Sequence, residues 1–479
     1  MELTTSSEKW YYWLGLAASG SRKRTTKQIE GQHQGNNAQG AVALSNLSWR
    51  NRRNSWLSVF ACIFMITVPP TMTILCWIAL EYFEGSLLGA LKEAHVLRLS
   101  FLKQYAPSAD MRVTAAYFVW VLFQAALYTA LPGRSTGQLT AGGKLLTYRT
   151  NGFLAWIITV LVFVLATLSG AIDPSVIARH WGSLIVTFNI YGYALSIIAY
   201  LKAHCFPSYM EDLTFSGSVL YDFLMGIEFN PRFGSDWDWK LFHNGRPGII
   251  GWTLIDLTYT AFQYQTHGYI TNSMVMVNLF HAIYVVDFFL NEDWYLRTID
   301  ICHDHFGFYL AWGSAVWLPT MYTLQAQYLA RYPVHLSPLA AAAIMVLGLS
   351  GYALFRSVNA QKDRVRRSKG NCTIWGRKAK VMRCHFKTAD GLNHTTLLLI
   401  SGWWGVARHV NYVGDLMLSY SMCALCGTRD LLPWSYAIFM TCILVHRCYR
   451  DEKRCRIKYG AAWDKYCSLV RWRMIPGVW

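Results

Sequence analysis

Charged side chains are scarce in this sequence. They make up 15% of its 479 residues, whereas a soluble globular protein carries about 25%. Hydrophobic residues account for 53%, and the mean hydropathy is +0.21. Apolar runs of about 18 residues, the length that crosses a bilayer, recur along the chain. The scarcity of charge and the recurring runs exclude an ordinary soluble protein and predict a membrane protein with many spans.

Other common signatures are absent as well. No cleavable secretion signal is recognisable, so the first apolar run is expected to act as an uncleaved anchor. The motifs Cys423-Ala-Leu-Cys426 and Cys302-His-Asp-His305 lack partners at zinc-site spacing, and no disulfide framework is indicated. No Gly-x-Gly-x-x-Gly motif opens a helix after a strand, and no nucleic-acid-reading module is visible. We therefore expect no metal site and no nucleic-acid partner.

The apolar segments predict an all-α fold of about ten transmembrane helices. In chain order these are residues 56–80, 113–131, 153–172, 183–201, 249–262, 273–290, 306–329, 339–355, 396–425 and 431–445. Residues 1–54 are predicted to form a disordered basic tail, and residues 55–479 a single transmembrane domain. The net charge of +17 is concentrated in the tail, in residues 362–387 and after the last span, so an even number of spans places all three in the cytosol.

Two polar clusters interrupt the apolar pattern near the C-terminus. The first lies in Leu397–Asp415, which is expected to begin as an apolar helix. Arg408, Asn411, Tyr412 and Asp415 follow at i, i+3, i+4 and i+7, the spacing of one helix face. Ionisable groups between apolar segments usually mark a cavity, so this face is predicted to line a polar ligand site. A solvated helix beside the membrane is the alternative.

The second cluster is the Arg- and Lys-rich stretch Leu444–Gly460. Arginine suits phosphate recognition because its planar fork donates two hydrogen bonds at once. The alternative is a positive-inside anchor at a helix end, which would explain the charge. That alternative does not explain the interleaved Asp451, Tyr459 and Tyr466, so we favour a phosphate-bearing ligand.

A third polar pattern lies along the predicted sixth span. Asn278, His281, Tyr284 and Asp287 repeat every three residues, and Glu292 lies just beyond. A series of hydroxyl, imidazole and carboxylate groups can hold and deliver a proton. The alternative is a set of interhelical hydrogen bonds with a purely structural role.

Two long stretches resemble signatures of the membrane sterol reductases. They are Gly217-Ser-Val-Leu-Tyr-Asp-Phe-Leu-Met-Gly-Ile-Glu-Phe-Asn-Pro-Arg232 and the stretch Leu444–Gly460. The resemblance runs from about residue 50 to the C-terminus. Four further stretches are most similar to the branch of the family that reduces the C7–C8 double bond of Δ5,7-sterols. They are Phe242–Ile249, Thr298–Gly307, Ile374–Val381 and Gly405–Tyr412.

The resemblance implies NADPH-dependent reduction of a bilayer sterol in the endoplasmic reticulum, a late step of cholesterol biosynthesis. It places the cofactor-binding part at about residues 355–479, with NADPH arriving from the cytosol. Other membrane enzymes of sterol biosynthesis could be partners. Tyr284 and Asp451 are the candidates for proton delivery. The positions that match the family's cofactor site are Lys362, Arg366, Leu399, Trp404, Asn411, Tyr412, Asp451, Cys455, Arg456, Ile457, Lys458, Tyr459 and Tyr466.

Three alternatives to this interpretation were weighed. The first is a Δ14- or C24-sterol reductase of the same family. The second is a catalytically silent sterol-binding module, which the intact Lys362, Arg366 and Asp451 disfavour. The third is an isoprenylcysteine methyltransferase, whose C-terminal stretch is similar. The length of this chain and its Gly217–Arg232 stretch depart from that third family.

Glycosylation tests the predicted orientation. Asn371-Cys-Thr and Asn393-His-Thr are acceptor sequons in the basic region that the topology places in the cytosol. Both are expected to stay unmodified in cells, because the transferase acts in the lumen. An endoglycosidase mobility shift that disappears with Asn371→Gln or Asn393→Gln would reverse the orientation.

Overall fold

The computed structural model describes residues 56–140, 144–387 and 393–479. The predicted disordered tail, residues 1–54, lies outside the described residues. The α-helices are Trp56–Tyr82, Leu87–Leu97, Leu99–Tyr105, Met111–Ala130, Gly152–Leu168, Val176–Arg179, Trp181–Cys205, Val219–Met225, Trp239–His243, Gly251–His267, Asn272–Leu290, Glu292–Tyr295, Ile299–Cys302, Phe308–Trp312, Leu318–Met321, Leu324–Arg331, Pro338–Arg367, Trp403–Val406, Val410–Ala424, Ser435–Tyr459 and Ala461–Leu469. Helical turns of other types cover Met210–Asp212, Asn244–Ile250, Gly313–Trp317 and Leu432–Trp434.

The described chain divides into two compact units. The large unit contains residues 56–357 and Asn411–Arg447. The small unit contains Val358–Val410 and Cys448–Trp479. The single transmembrane domain over residues 55–479 stays a prediction. Most of the predicted cofactor-binding residues lie in the small unit.

Five helices in the described residues are long and apolar enough to cross a membrane. They are Val59–Tyr82, Met111–Ala130, Trp181–Cys205, Asn272–Leu290 and Pro338–Arg367. These correspond to the predicted first, second, fourth, sixth and eighth spans. The predicted third span corresponds to the shorter apolar helix Gly152–Leu168. The protein is thus a membrane protein with several spans, and the count of ten stays a prediction.

The predicted ninth span is wrong as a continuous helix, and the predicted seventh span is interrupted once. Residues 308–321 are helical throughout, with the π-helical Gly313–Trp317 in the middle, and a turn at Tyr322 and Thr323 precedes the helix Leu324–Arg331. Residues 396–425 begin as a strand that ends at Leu399, and a helix begins only at Val410. Gly402 has φ +62°, outside the helical region, so no helix passes through it. A short apolar run preceded by two threonines fits a strand as well as a helix, and pairing with a neighbouring strand decided the outcome.

The fold is mostly helical but not all-α. Four two-stranded antiparallel hairpins occur in the described residues. They pair Arg134–Leu139 with Leu145–Arg149, Arg232–Phe233 with Trp237–Asp238, Thr373–Ile374 with Arg377–Lys378, and Val381–Lys387 with Asn393–Leu399. All four hairpins lie between helices in the chain. The hydropathy pattern of such connecting segments does not reveal strands.

Two stretches that carry the family resemblance meet inside the large unit. The Phe306 amide donates to the Glu228 carbonyl over 3.0 Å. Gly226 has φ +80°, and a Cβ atom on Gly307 would lie 1.9 Å from the Gly226 nitrogen. Only glycine permits such a close approach of two backbones. Glycine at positions 226 and 307 is therefore required by the contact of the two stretches.

A buried ion pair stabilises the interior of the large unit. Arg246 Nη1 lies 2.6 Å from Glu292 Oε1, and the two side chains are 0% and 2% exposed. The other oxygen of Glu292 accepts from the Gly152 amide over 2.9 Å. Arg246 also donates to Asn151 Oδ1 over 2.9 Å. Each charge therefore has a partner, which burial in a low-dielectric interior requires.

Removal of one partner should strongly destabilise the large unit. Glu292→Ala leaves the Arg246 guanidinium buried without a counter-charge, which costs about 3–5 kcal/mol. We expect a large fall in the thermal unfolding midpoint of the purified protein in detergent. Asp293→Ala is the matched control, because Asp293 forms only a partly exposed pair with Arg297 at 3.7 Å. Equal midpoints for the two variants would show that the buried pair contributes little.

Candidate functional site

The small unit has its own hydrophobic core. Cys455, Trp463, Tyr466 and Val470 are each 7% exposed or less and form one cluster. Met382, Leu398 and Ile400 of the long hairpin pack against it. Tyr466, predicted to contact the cofactor, is 4% exposed, and its ring centroid lies 5.1 Å from that of Trp463. Tyr466 therefore lies within the core of the small unit, and its contact with the cofactor stays a prediction.

Lys362 and Trp404 form the best-defined part of the candidate cofactor site. The Lys362 ammonium lies 4.3 Å from the centroid of the Trp404 ring. The Trp404 indole donates to the Val358 carbonyl over 2.9 Å, one helical turn before Lys362. The indole is thus held flat along the C-terminal part of helix Pro338–Arg367. This arrangement fixes a cation over an aromatic face, where desolvated pairs gain about 2 kcal/mol.

Arg366 follows Lys362 by one turn of the same helix. Its side chain is partly buried and lies within electrostatic range of Lys362 and of Tyr459. Residues four apart on a helix share a face. The helix therefore places Arg366 one turn beyond Lys362, the cation that lies over Trp404, and two neighbouring cations suit an anionic ligand.

Asp451 provides the negative charge of this cluster. It forms an ion pair with Arg454, and its side chain is 20% exposed. The Cys455 thiol donates to Asp451 Oδ2 over 3.9 Å. Burial alone would raise the pKa of Asp451, but Arg454, His409 and Lys362 outweigh it, so the pKa lies below its usual value. Asp451 is therefore ionised at neutral pH and suited to accept hydrogen bonds.

The run Cys455–Tyr459 divides between two faces of its helix. Cys455 is buried, and Lys458 Nζ lies 3.9 Å from the Phe386 ring centroid. Arg456 forms an exposed pair with Asp464 at 3.3 Å, and Ile457 is 40% exposed. The five consecutive positions of the resemblance therefore have different environments. Leu399, also among the predicted residues, is buried at the end of its strand.

Arg408 has a structural role that the sequence pattern did not indicate. Its guanidinium donates to Glu452 over 2.6 Å and to the carbonyls of Val470 and Arg471 over 2.6 and 2.9 Å. Arg473 Nε bonds the same Glu452 oxygen over 2.9 Å. Arg408 precedes helix Val410–Ala424, so the predicted helix face that joined it to residues 411, 412 and 415 does not exist. Arg408 instead fixes the C-terminal segment of the small unit.

Asn411, Tyr412 and Asp415 lie on helix Val410–Ala424 and belong to the large unit. All three side chains are partly buried. Tyr412 and Asp415 both lie within electrostatic range of Arg447. Asp415 follows Asn411 by four positions and Tyr412 by three on this helix, the spacing of neighbouring side chains on a helix surface. That this surface lines a polar ligand site stays a prediction.

Tyr284 is the other predicted catalytic residue, and it lies in the large unit. Its ring packs against Trp252, with centroids 5.1 Å apart at an angle of 47°. Asp415, Tyr322 and Arg447 lie within electrostatic range of it. Within the described part of the chain its hydroxyl makes no hydrogen bond to protein. The hydroxyl is thus available to a ligand.

The other members of the predicted proton series bond to neighbouring helices. Asn278 donates to Thr260 Oγ1 over 2.9 Å. His281 Nδ1 lies 2.9 Å from Asp256 Oδ2, and Asp287 accepts from Tyr352 over 2.8 Å. Glu292 pairs with Arg246, as described above. The structural alternative therefore applies to these residues, and Tyr284 is the exception.

Sequence reasoning missed the ion pair of Asp300 with Arg447. Arg447 Nη2 lies 2.9 and 2.8 Å from the two carboxylate oxygens of Asp300. Both groups lie within electrostatic range of Tyr284 and Tyr322. The only sequence signal was that Asp300 falls in one resemblance stretch and Arg447 in another. Their pairing adds fixed charges to the polar surroundings of Tyr284.

The fold and the two clusters define a membrane protein with several spans. Its small unit holds cations and an aromatic ring suited to an anionic, ring-bearing ligand. The sequence profile of the ergosterol biosynthesis ERG4/ERG24 family matches residues 59–479. The chain belongs to this family. Because the match covers residues 59–479, it excludes the methyltransferase alternative.

Curated relatives match over most of their length. The chain is 45% identical over 438 residues to "7-dehydrocholesterol reductase" of Danio rerio, covering 88% of this chain and 92% of the relative. It is also 45% identical over 438 residues to the protein of that name from Xenopus laevis, covering 88% and 93%. A "Delta(14)-sterol reductase" of Methylotuvimicrobium alcaliphilum is 38% identical over 427 residues, covering 89% and 95%.

Proposed function

We propose that this protein is an NADPH-dependent reductase of the C7–C8 double bond of Δ5,7-sterols, with 7-dehydrocholesterol as substrate and cholesterol as product. The single observation that carries the proposal is the 45% identity to two 7-dehydrocholesterol reductases over nearly the whole chain. The 38% identity to a Δ14-sterol reductase makes reduction of Δ14-sterols the second candidate function. Incubation of membranes containing the protein with each sterol and NADPH, followed by sterol analysis, distinguishes the two.

The residues of the small unit fit a phosphorylated nicotinamide cofactor. Lys362 and Arg366 offer two cations one turn apart, and charge-assisted contacts of this kind recognise phosphate. The Trp404 ring offers a flat surface beside Lys362. Asp451 is ionised and can accept hydrogen bonds from sugar or amide groups. When bound, NADPH supplies the hydride of the reaction.

The protein's own contribution to the chemistry is a proton. A conjugated diene has no carbonyl to polarise, so an acid must protonate one carbon while hydride is added to the other. We assign the acid role to Tyr284, whose hydroxyl has no protein partner within the described part of the chain. Asp415, Arg447 and Asp300 lie within electrostatic range of it and give it polar surroundings.

Asp451 is better suited to binding than to proton delivery. The lowered pKa keeps its carboxylate ionised, so it carries no proton to donate at neutral pH. Its pairing with Arg454 and its closeness to Lys362 place it among the cofactor-binding cations. We therefore assign Asp451 to cofactor binding and keep Tyr284 as the proton donor.

The setting of the reaction follows from the substrate and the charge distribution. The sterol is dissolved in the bilayer, and NADPH is a cytosolic metabolite. The cationic residues 362–380 suit a cytosolic position under the positive-inside rule. We place the protein in the endoplasmic reticulum membrane with both termini in the cytosol, where other membrane enzymes of sterol biosynthesis could be its partners.

Cofactor selectivity tests the assignment of Arg366. Loss of one charge-assisted hydrogen bond to phosphate costs roughly 1.5–3 kcal/mol. Arg366→Ala should therefore weaken NADPH binding by about tenfold to a hundredfold and leave NADH, which lacks the 2′-phosphate, much less affected. Titration of both cofactors against the purified protein measures the effect. Arg364→Ala, an exposed position on the same helix, is the matched control. Equal losses for NADPH and NADH would exclude phosphate recognition by Arg366.

The proton donor is tested by Tyr284→Phe. The ring is kept, so packing against Trp252 should survive, while turnover should fall by about a hundredfold or more, the scale of a lost general acid. Single-turnover assays with both ligands bound measure the rate. A solvent deuterium isotope effect on the unmodified protein reports whether proton transfer is rate-limiting.

Two further tyrosines make this test specific. Tyr352→Phe removes a hydroxyl that bonds Asp287, so it should leave turnover near normal. Tyr322 lies 5.7 Å from Trp252 between ring centroids and shares the polar surroundings of Tyr284. Normal turnover in Tyr284→Phe together with a large loss in Tyr322→Phe would move the acid role to Tyr322.

A further inference from the structure

An exposed tryptophan lies at the tip of a short hairpin in the small unit. The strands Thr373–Ile374 and Arg377–Lys378 pair directly, so Trp375 and Gly376 form a two-residue turn. Both turn residues have positive φ, +48° for Trp375 and +73° for Gly376. Such turns favour Asn, Asp or Gly, and a bulky aromatic residue in the left-handed region is strained. The Trp375 side chain is nevertheless 60% exposed and gains little burial in return.

The hairpin packs beside the candidate cofactor cluster. The Trp375 and Trp403 ring centroids are 5.1 Å apart and nearly perpendicular, at 85°. The Trp403 amide donates to Gln361 Oε1 over 3.0 Å, and Gln361 is the residue before Lys362. The next ring, Trp404, lies under the Lys362 ammonium. A series of contacts and neighbouring residues therefore joins the exposed ring to Lys362, one of the two cations assigned to the 2′-phosphate.

Gly402 shows how closely these parts fit. It has φ +62°, and a Cβ atom there would lie 2.6 Å from Ile374 Cγ2 and 2.4 Å from Gln361 Oε1. The hairpin and the helix end are thus held against the Gly402 backbone on both sides. The position of Trp375 relative to Lys362 is fixed by packing, although its own ring remains exposed.

We propose that Trp375 is a stacking surface for the adenine ring of the cofactor, an inference that rests on the proposed use of NADPH. In NADPH the 2′-phosphate is on the ribose that carries adenine, so a base-binding surface must lie next to the phosphate-binding cations. A perpendicular contact with Trp403 leaves at least one face of the Trp375 ring uncovered. Arg377 and Lys378, both exposed, add positive charge beside the ring for a phosphorylated ligand.

The test compares three variants of the full-length protein in nanodiscs. Trp375→Asn removes the ring and places a favoured residue in the turn, so the hairpin should persist. Trp375→Phe keeps an aromatic face and the same backbone strain. Trp472→Asn is the matched control, because Trp472 is an exposed tryptophan elsewhere in the small unit, at 38%. The probes are NADPH and adenosine 2′,5′-bisphosphate, which retains the base and the 2′-phosphate but lacks the nicotinamide half.

The expected result is specific to the base-bearing end. Loss of base–aromatic stacking should weaken the binding of both probes to Trp375→Asn by about 5- to 100-fold. Trp375→Phe should recover most of this affinity, and Trp472→Asn should match the unmodified protein. The KM for NADPH should rise in Trp375→Asn while kcat at saturating NADPH stays within about twofold, which a general structural defect would not produce.

Three outcomes overturn the inference. Unchanged binding of both probes to Trp375→Asn would leave the ring without a role in cofactor binding. A loss for NADPH alone would place Trp375 near the nicotinamide half. A variant that responds to the lipid composition of the nanodisc but binds both probes normally would make Trp375 a membrane contact. By contrast, failure of the unmodified protein to bind either probe would contradict the proposed function itself.

Discussion

An ionised side chain that leaves water must find a partner, or its burial costs several kcal/mol. In a chain with so little charge this constraint decides where the charged residues lie. Arg246 with Glu292, Lys202 with Glu228 and Arg408 with Glu452 are buried or nearly buried pairs within their own units. Each pair joins segments that are distant in sequence. These ion pairs therefore hold together segments of the chain that hydrophobic contacts alone would not align.

The same constraint separates structural charges from candidate functional ones. Both terminal nitrogens of Arg408 donate to carbonyl or carboxylate partners within the small unit, so its main contacts are structural. In the Lys362 cluster the positive charges outnumber Asp451, and an aromatic ring supplies part of the compensation. An excess of fixed positive charge is what an anionic cofactor can neutralise. This imbalance, rather than the number of arginines, is the physical argument for the proposed site.

Hydropathy predicted the long helices well because a run such as Asn272–Leu290 has no other stable form in a bilayer. It failed over 396–425, where the apolar run is short and its outcome depends on pairing with residues 381–387. Spacing placed Lys362 and Arg366 on one face because both lie within one helix. It could not find the Asp300–Arg447 pair, whose members are far apart in sequence and meet only through the tertiary fold. The roles of Tyr466 and Arg408 likewise depend on burial, which a single sequence does not reveal.

The close approach of Gly226 and Gly307 has a consequence for synthesis. Ribosomes add about 5–20 residues per second, so Gly307 leaves the ribosome roughly 4–16 s after Gly226. During that interval the backbone at Gly226 has no contact with Gly307. The Glu228 carbonyl likewise lacks the Phe306 amide, from which it later accepts a hydrogen bond. The segment around Gly226 must stay accessible while the intervening helices insert. The order in which the intervening helices insert therefore bears on when this contact can form.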